Sequence, residues 1–398
     1  MERLEVVVVK KAGIITLYYK NDNYGGIAQG YALQQYIKSL GIDSELISYQ
    51  RTPAKILSKG EELKKLGVKG FVSLKADCFF KKTKVKLRNK NAIKKYGLSL
   101  KDKLQQRKDA FEVSREEVPH SPVYTEDNIV NCSDRYDYFI SGSDQIWKPG
   151  VLQLPYIFTF LPENKVRFSY ASSITTLNND KEYDEKMKNA LEKYKWISVR
   201  EESGQKYLEK LLNRNVDLVV DPTFLLSKEQ WEEYITERQI KEKYVFTYFL
   251  GQSTKQRKIV EKYAKENNLK IVSLPHVEGK IYACDINFGD IQLYDVNVRQ
   301  FLSLIKYAEV VFTDSFHAGV FSNIFETQYW IFEREVFSKK VSMNSRIDTL
   351  LSLLGEEDRK VREYTDIHNN NIDFENAKAK LNVEIDKSKE LLKKALDL

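Results

Sequence analysis

Short apolar runs rich in β-branched and aromatic residues alternate with helical stretches from Gly13 to Phe332, and this alternation leaves few architectures open. In the first half the runs are Gly13–Tyr19, Glu45–Ser48, Tyr136–Ile140, Val166–Ala171, Trp196–Arg200 and Asp217–Val220. In the second half they are Tyr244–Leu250, Lys270–Leu274, the run that ends in Thr313-Asp314-Ser315, and Gln328–Phe332. Helices are expected over Ile27–Leu40, Lys186–Tyr194, Glu201–Leu212, Gln256–Glu266 and Val298–Tyr307, from Met343 onward, and over the charged segment 374–398. Repeats of strand, helix and strand build parallel sheets covered on both faces. The chain therefore reads as α/β, with two doubly wound (Rossmann-like) domains facing a cleft. The first is expected over 1–222 and the second over 223–373, with the boundary falling within 223–243, before the strong run Tyr244–Leu250 that opens the second core.

Residues 51–118 break the pattern. They are Lys-rich, helical and poor in strand signals, as in an insertion on the first domain. Residues 71–110 carry 13 Lys or Arg against 3 Asp or Glu, in a chain of formal net charge +7. Such a patch either favours an anionic partner or is a solvated helical face. Leu66, Val68, Phe71, Val72 and Leu74 among these lysines suit peripheral contact with a membrane. Cys78, Cys132 and Cys284 are scattered and form no metal or disulfide pattern, which fits a reducing cytoplasm. Val6–Val9 is too short for a signal-peptide core, and no run approaches the ~20 apolar residues of a membrane span.

Open α/β sheets bind ligands at the carboxyl ends of their strands. Asp144, Arg200, Asp221 and His317 all fall at or just after expected strand ends, so parallel strands would put them on one rim. The first strand leads into Asn21–Gly26, where Gly25 and Gly26 would let backbone N–H groups meet an anion at a helix start. The same residue types also make ordinary tight turns. Ser141–Trp147 would place Ser143, Asp144, Gln145 and the Trp147 ring at another strand end. Arg200 opposes the dipole of the helix that follows it, which calls for an anionic ligand or for pairing with Glu201 or Glu202. His317 stands in or near the first turn of a helix, and imidazole suits proton transfer near neutral pH. No DxD, HExxH, GxSxG or phosphate-loop motif occurs.

Taken together, Asn23–Gly26 with Gln29 and Ala32-Leu33, Ser141–Trp147, Ser198–Glu201, Asp221-Pro222-Thr223, Thr313–Gly319 and Met343–Leu351 resemble the polysaccharide pyruvyltransferase family over most of the chain. The family commonly has arginine where this chain has Ser315 or Phe316. The resemblance implies a GT-B-like fold and transfer of a pyruvyl group from phosphoenolpyruvate to two hydroxyls of one sugar, forming a cyclic ketal. It implies a catalytic set of His317, Arg200 and Asp144. Substrate would be held by Asn23, Gly25, Gly26, Gln29, Ser143, Gln145, Trp147, Asp221, Thr313, Asp314, Ser315 and Arg334, with Lys339 adding charge. No metal and no cofactor is implied, phosphoenolpyruvate being the donor substrate. The expected partners are phosphoenolpyruvate, a sugar or lipid-linked glycan acceptor, and an anionic inner membrane surface, but no nucleic acid. Two rival readings share these residues: a GT-B glycosyltransferase using a nucleotide sugar, and a non-catalytic basic glycan- or membrane-binding protein.

Overall fold

The computed structural model describes residues 9–52, 99–149, 152–174, 181–277, 281–334 and 345–398. Its first sheet contains β1 (Lys11–Ile15), β2 (Asp43–Leu46), β3 (Tyr138–Ser141) and β4 (Val166–Ser169), in the order β2-β1-β3-β4. Parallel bridges Phe168↔Trp196 and Ser172↔Val199 carry the ladder on to β5 (Ser198–Val199) and β6 (Asp217–Leu218). The second sheet contains β7 (Tyr244–Tyr248), β8 (Lys270–Ser273), β9 (Ile291–Gln292), β10 (Val310–Thr313), β11 (Tyr329–Phe332) and β12 (Lys360–Val361). Its order is β12-β11-β10-β7-β8-β9, and all its pairs are parallel. β3, β7 and β10 are buried at every position, which is why they read as continuous apolar runs rather than alternating ones.

The helices are α1 (Tyr24–Ser39), α2 (Leu100–Glu116), α3 (Lys181–Leu191), α4 (Glu202–Leu212) and α5 (Lys228–Tyr234) in the first part of the chain. They continue as α6 (Thr254–Glu266), α7 (Val298–Lys306), α8 (Phe316–Ile324), α9 (Ser345–Leu354) and α10 (Phe374–Ala395). α1 starts at Tyr24, three residues before the expected Ile27, because the Asn23 side chain caps it by accepting from Gly26 N at 3.3 Å. β9, β12 and the short α5 lie among charged residues, and the sequence pattern passes over them.

Each sheet reverses its strand order once, between β1 and β3 in the first and between β7 and β10 in the second. A crevice opens at such a reversal. Here the two reversals look at one another, since one cavity is lined by Asn23 and Asp144 from the first and by Leu250 and His317 from the second. Aromatic packing holds the halves in place. Tyr24 stacks on Phe301 of α7 at 4.4 Å between centroids and donates its hydroxyl to Val296 O at 2.9 Å.

α10 crosses back to the first sheet. Ser388 Oγ accepts from Val220 N at 3.0 Å, Lys195 Nζ donates to Ala395 O at 3.0 Å, and Tyr138 OH donates to Leu396 O at 2.8 Å. Leu392, with no exposed surface, shares a core with Ile14 and Phe168. Leu392→Ala is expected to lower the unfolding free energy by about 2–5 kcal/mol, measured by denaturant titration, as for other fully buried leucines.

Of the Lys-rich segment 51–118, residues 53–98 lie outside the described residues, and with them Leu66, Val68, Phe71, Val72 and Leu74. The described part is chiefly α2, which packs on the turn after β1: Arg115 Nη1 meets Asp22 Oδ1 at 3.0 Å, and Arg107 lies over the Tyr24 ring at 5.3 Å. Among the described residues no helix is long and apolar enough to cross a membrane.

Candidate active site

Asp221 is the meeting point of the two halves. It follows β6, and its Oδ1 accepts from Thr223 N at 3.1 Å and from Thr223 Oγ1 at 2.7 Å. Its Oδ2 is bonded by Arg200 Nη1 and faces His317 Nε2 at 3.7 Å. Arg200, just beyond β5, also reaches Ser143 Oγ and Asp144 Oδ1, both at 3.2 Å. All of these side chains are buried. Burial alone would raise the Asp221 pKa, but the imidazole and the guanidinium outweigh it and hold the carboxyl far below the ordinary carboxylate range. Burial would likewise lower Arg200, and the Asp221 and Asp144 carboxylates reverse that. The result is a buried imidazole set beside a carboxylate that stays ionised.

Gly25 lies in the first turn of α1, directly against this imidazole. A Cβ at that position would collide with the His317 ring at Nδ1 and Cγ. Gly25→Ala is therefore expected to displace the ring and lower kcat by about 100-fold, the cost of an ångström-scale misplacement. Steady-state kinetics on the folded variant checks this.

Beside His317 a cavity of about 250 Å³ opens between the halves. Asn23, Asp144 and Gln145 line it from the first half, and Ser315, His317 and Arg334 from the second. Asn23 Nδ2 donates to Asp144 Oδ2 at 3.4 Å. Asp314 turns away from the cavity floor: its carboxylate accepts from Leu250 N and Gly251 N, both at 2.7 Å, tying the ends of β7 and β10 together. Arg334 Nη2 donates to Asp314 O at 3.1 Å.

The other expected site residues fall behind this wall. Gln29 and Ser143 are buried, and Gln29 Oε1 accepts from Ser143 N at 2.9 Å, linking α1 to the loop after β3. Thr313 Oγ1 donates to Tyr248 O at 2.6 Å, a link between strands. Gly26 N is taken up by the Asn23 cap. Trp147 has no exposed surface and packs in the core, its indole donating to Tyr156 O at 3.4 Å, so no face of the ring is open to a sugar. Arg200 pairs with Asp144 and Asp221 rather than with Glu201 or Glu202, and it is not among the residues lining this cavity. Glu201 Oε1 instead accepts from Ser173 Oγ and Ile174 N, both at 2.8 Å. Lys339 lies outside the described residues.

Among the lining residues without an expected role are Tyr248, His276, Tyr282 and Arg346. Tyr248 ends β7 and His276 follows β8, so the strand-end rule that found His317 also reaches them. Arg346 sits in the first turn of α9, where the dipole argument that singled out Arg200 applies equally.

No curated protein matches the chain. Among solved structures it is similar to a Listeria monocytogenes protein described as a UDP-N-acetylglucosamine 2-epimerase, with a TM-score of 0.50 and 8% identity over 96% of this chain and 91% of that one. It is also similar to UDP-GlcNAc 2-epimerase from Neisseria meningitidis (TM-score 0.49, 8% identity, 98% and 99% of the two chains). A third is the glycosyltransferase SnogD from Streptomyces nogalater (TM-score 0.40, 9% identity, 98% and 100%). Identities this low describe the fold alone, which is GT-B-like. The sequence profile described as polysaccharide pyruvyl transferase matches residues 23–333, from the Asn23 cap through the Asp221 hub to Glu333 beside Arg334. Spanning both halves of the cleft and the imidazole between them, that match makes the chain a transferase that belongs to the polysaccharide pyruvyl transferase family.

Proposed function

We propose that the chain transfers the pyruvyl group of phosphoenolpyruvate to two hydroxyls of one sugar, in a cell-surface polysaccharide or its lipid-linked precursor. The observation that carries this reading is the His317–Asp221 pair set at a cleft between two sheets, beside a cavity that also holds the Arg334 cation. A proton goes to the methylene carbon of the enol phosphate, which makes the neighbouring carbon electrophilic. One sugar hydroxyl attacks there and loses its proton. Phosphate leaves as the second hydroxyl closes the ring and gives up its own proton. The products are the cyclic ketal and inorganic phosphate: of the two protons lost by the hydroxyls, one replaces the proton taken up by carbon and the other leaves on the phosphate.

His317 is the proton carrier in this scheme. Asp221 faces Nε2 at 3.7 Å and steadies the charged ring, which exchanges protons with the substrate along the edge that lines the cavity. Arg334 faces the donor's negative charge. Asn23, Asp144 and Ser315 take the sugar hydroxyls. Arg200 acts behind them, positioning Asp144 and Asp221. The Lys-rich segment would hold the enzyme against an anionic membrane surface, where a lipid-linked acceptor lies.

The test is incubation with phosphoenolpyruvate and candidate glycans. Phosphate release that depends on the glycan, with a ketal in the product, supports the reading. Release of a nucleoside diphosphate from a nucleotide sugar, with phosphoenolpyruvate left intact, would replace it by glycosyl transfer. Unchanged liposome binding after the lysines of 71–110 are neutralised would remove the membrane contact.

A further inference from the structure

Arg346 enters the cavity wall from the first turn of α9, a place where the helix dipole opposes a cation. It is only 6% exposed, and its Nε has no hydrogen-bond partner among the described residues. With the Gln145 amide turned so that its oxygen faces the guanidinium, that oxygen accepts from the other two nitrogens at 3.1 and 2.9 Å, and it is a neutral acceptor. The flat face of the guanidinium lies over the Phe316 ring at 5.6 Å. Asp144 Oδ1 stands 4.0 Å from Nη1, beyond hydrogen-bond range, and is already paired with Arg200 at 3.2 Å.

The contrast with neighbouring buried arginines is informative. Arg200 touches two carboxylates, and Arg257 grips Asp285 with Nε and Nη2 at 2.8 and 2.6 Å. A buried guanidinium is normally compensated in this way, because the desolvation cost is otherwise left standing. Arg346 is under-compensated, and the field around it adds to the deficit. Burial, followed by repulsion from Arg200, pulls its pKa down to about 10 against the opposing pull of Asp144. Half-buried Lys148 is lowered too, by burial and then by Arg346 and Arg334. Arg334 lines the same cavity.

We propose that Arg346, whose guanidinium lines the cavity with a buried Nε left unpartnered among the described residues, seats a phosphate or carboxylate oxygen of the donor, with Arg334 as the second cation of the seat. Gln145 and Phe316 are positioning residues that hold the guanidinium plane. The identity of the anion as phosphoenolpyruvate rests on the pyruvyl-transfer reading, whereas the need for an anion rests on Arg346 itself.

The experiment compares the full chain with R346Q, R346K and H317N, reading melting temperature with and without phosphoenolpyruvate or inorganic phosphate, and KM for phosphoenolpyruvate. R346Q is expected to melt no lower than wild type without ligand, to lose the upward shift given by phosphoenolpyruvate, and to raise KM by about 10–100-fold. R346K should fall between, and H317N should keep the shift while losing turnover. A wild-type shift and KM in R346Q would overturn the proposal. Should R346Q not fold, R346K decides: a raised KM at unchanged melting temperature supports the seat, and a wild-type KM overturns it. If phosphate but not phosphoenolpyruvate shifts the wild type, and R346Q abolishes that shift, the seat stands and the donor assignment falls. If neither anion shifts the wild type, the seat itself is overturned.

Discussion

Replacing His317 with asparagine is expected to lower kcat by about 10²–10⁴-fold, the usual contribution of a positioned acid–base group. The imidazole is held on two sides, by the backbone of Gly25 and by the Asp221 carboxylate. Its bearing is therefore fixed before substrate arrives, and asparagine keeps a polar group there without keeping the proton chemistry. Phosphate release measured beside a thermal melt separates lost chemistry from lost fold. Turnover within a few-fold of wild type in H317N would move the proton transfer to another group, and His276 on the same cavity wall is the first to test.

Asp221→Asn is expected to be damaging in two ways at once. It removes the carboxylate that Arg200 and His317 share, leaving Arg200 with Asp144 alone. Breaking a buried pair from one side costs about 3–5 kcal/mol of stability. The loss has a pH signature. The Asp221 pKa is depressed in the folded state, so the wild-type advantage is fully present above the unfolded carboxyl value of 3.8 and fades as pH falls through the lower folded value. Denaturant unfolding should therefore show a constant gap between wild type and D221N from neutral pH down to about 3.8, and a narrowing gap in stronger acid. A gap that widened toward acid would mean that Asp221 is not the ionised partner of Arg200. Activity should fall as well, since His317 loses the group that orients it.

The rim of the site was legible in the sequence, and its depth was not. A polar residue just past an apolar run is marked by position alone, and this rule brought out Asp144, Arg200, Asp221 and His317. Which of them meets ligand depends on partners that a linear reading does not pair. Arg200 is covered because Asp221 and Asp144 arrive from other strands to neutralise it. Trp147 looks like a plate at a strand end, yet Tyr156, Tyr183 and Tyr194 come from distant positions to enclose it. Gly25 and Gly26 read as loop because glycine is a poor helix former. They are helical here because Asn23 caps the turn and the imidazole excludes any side chain at Gly25. β9 and β12 went unread because charged residues flank them closely, whereas the equally short β5 and β6 lie inside the runs Trp196–Arg200 and Asp217–Val220.

The return of α10 to the first sheet bears on how the chain is made. Domains tend to mature in the order in which they leave the ribosome. This one cannot: the pocket for Leu392 and the hydroxyl of Tyr138 wait for residues translated after the whole second sheet. A nascent chain halted before residue 374 would carry the first sheet with an open apolar flank, however complete its strands. The amino-terminal half is therefore expected to need chaperone cover until synthesis passes Leu396, and to resist expression as an isolated fragment.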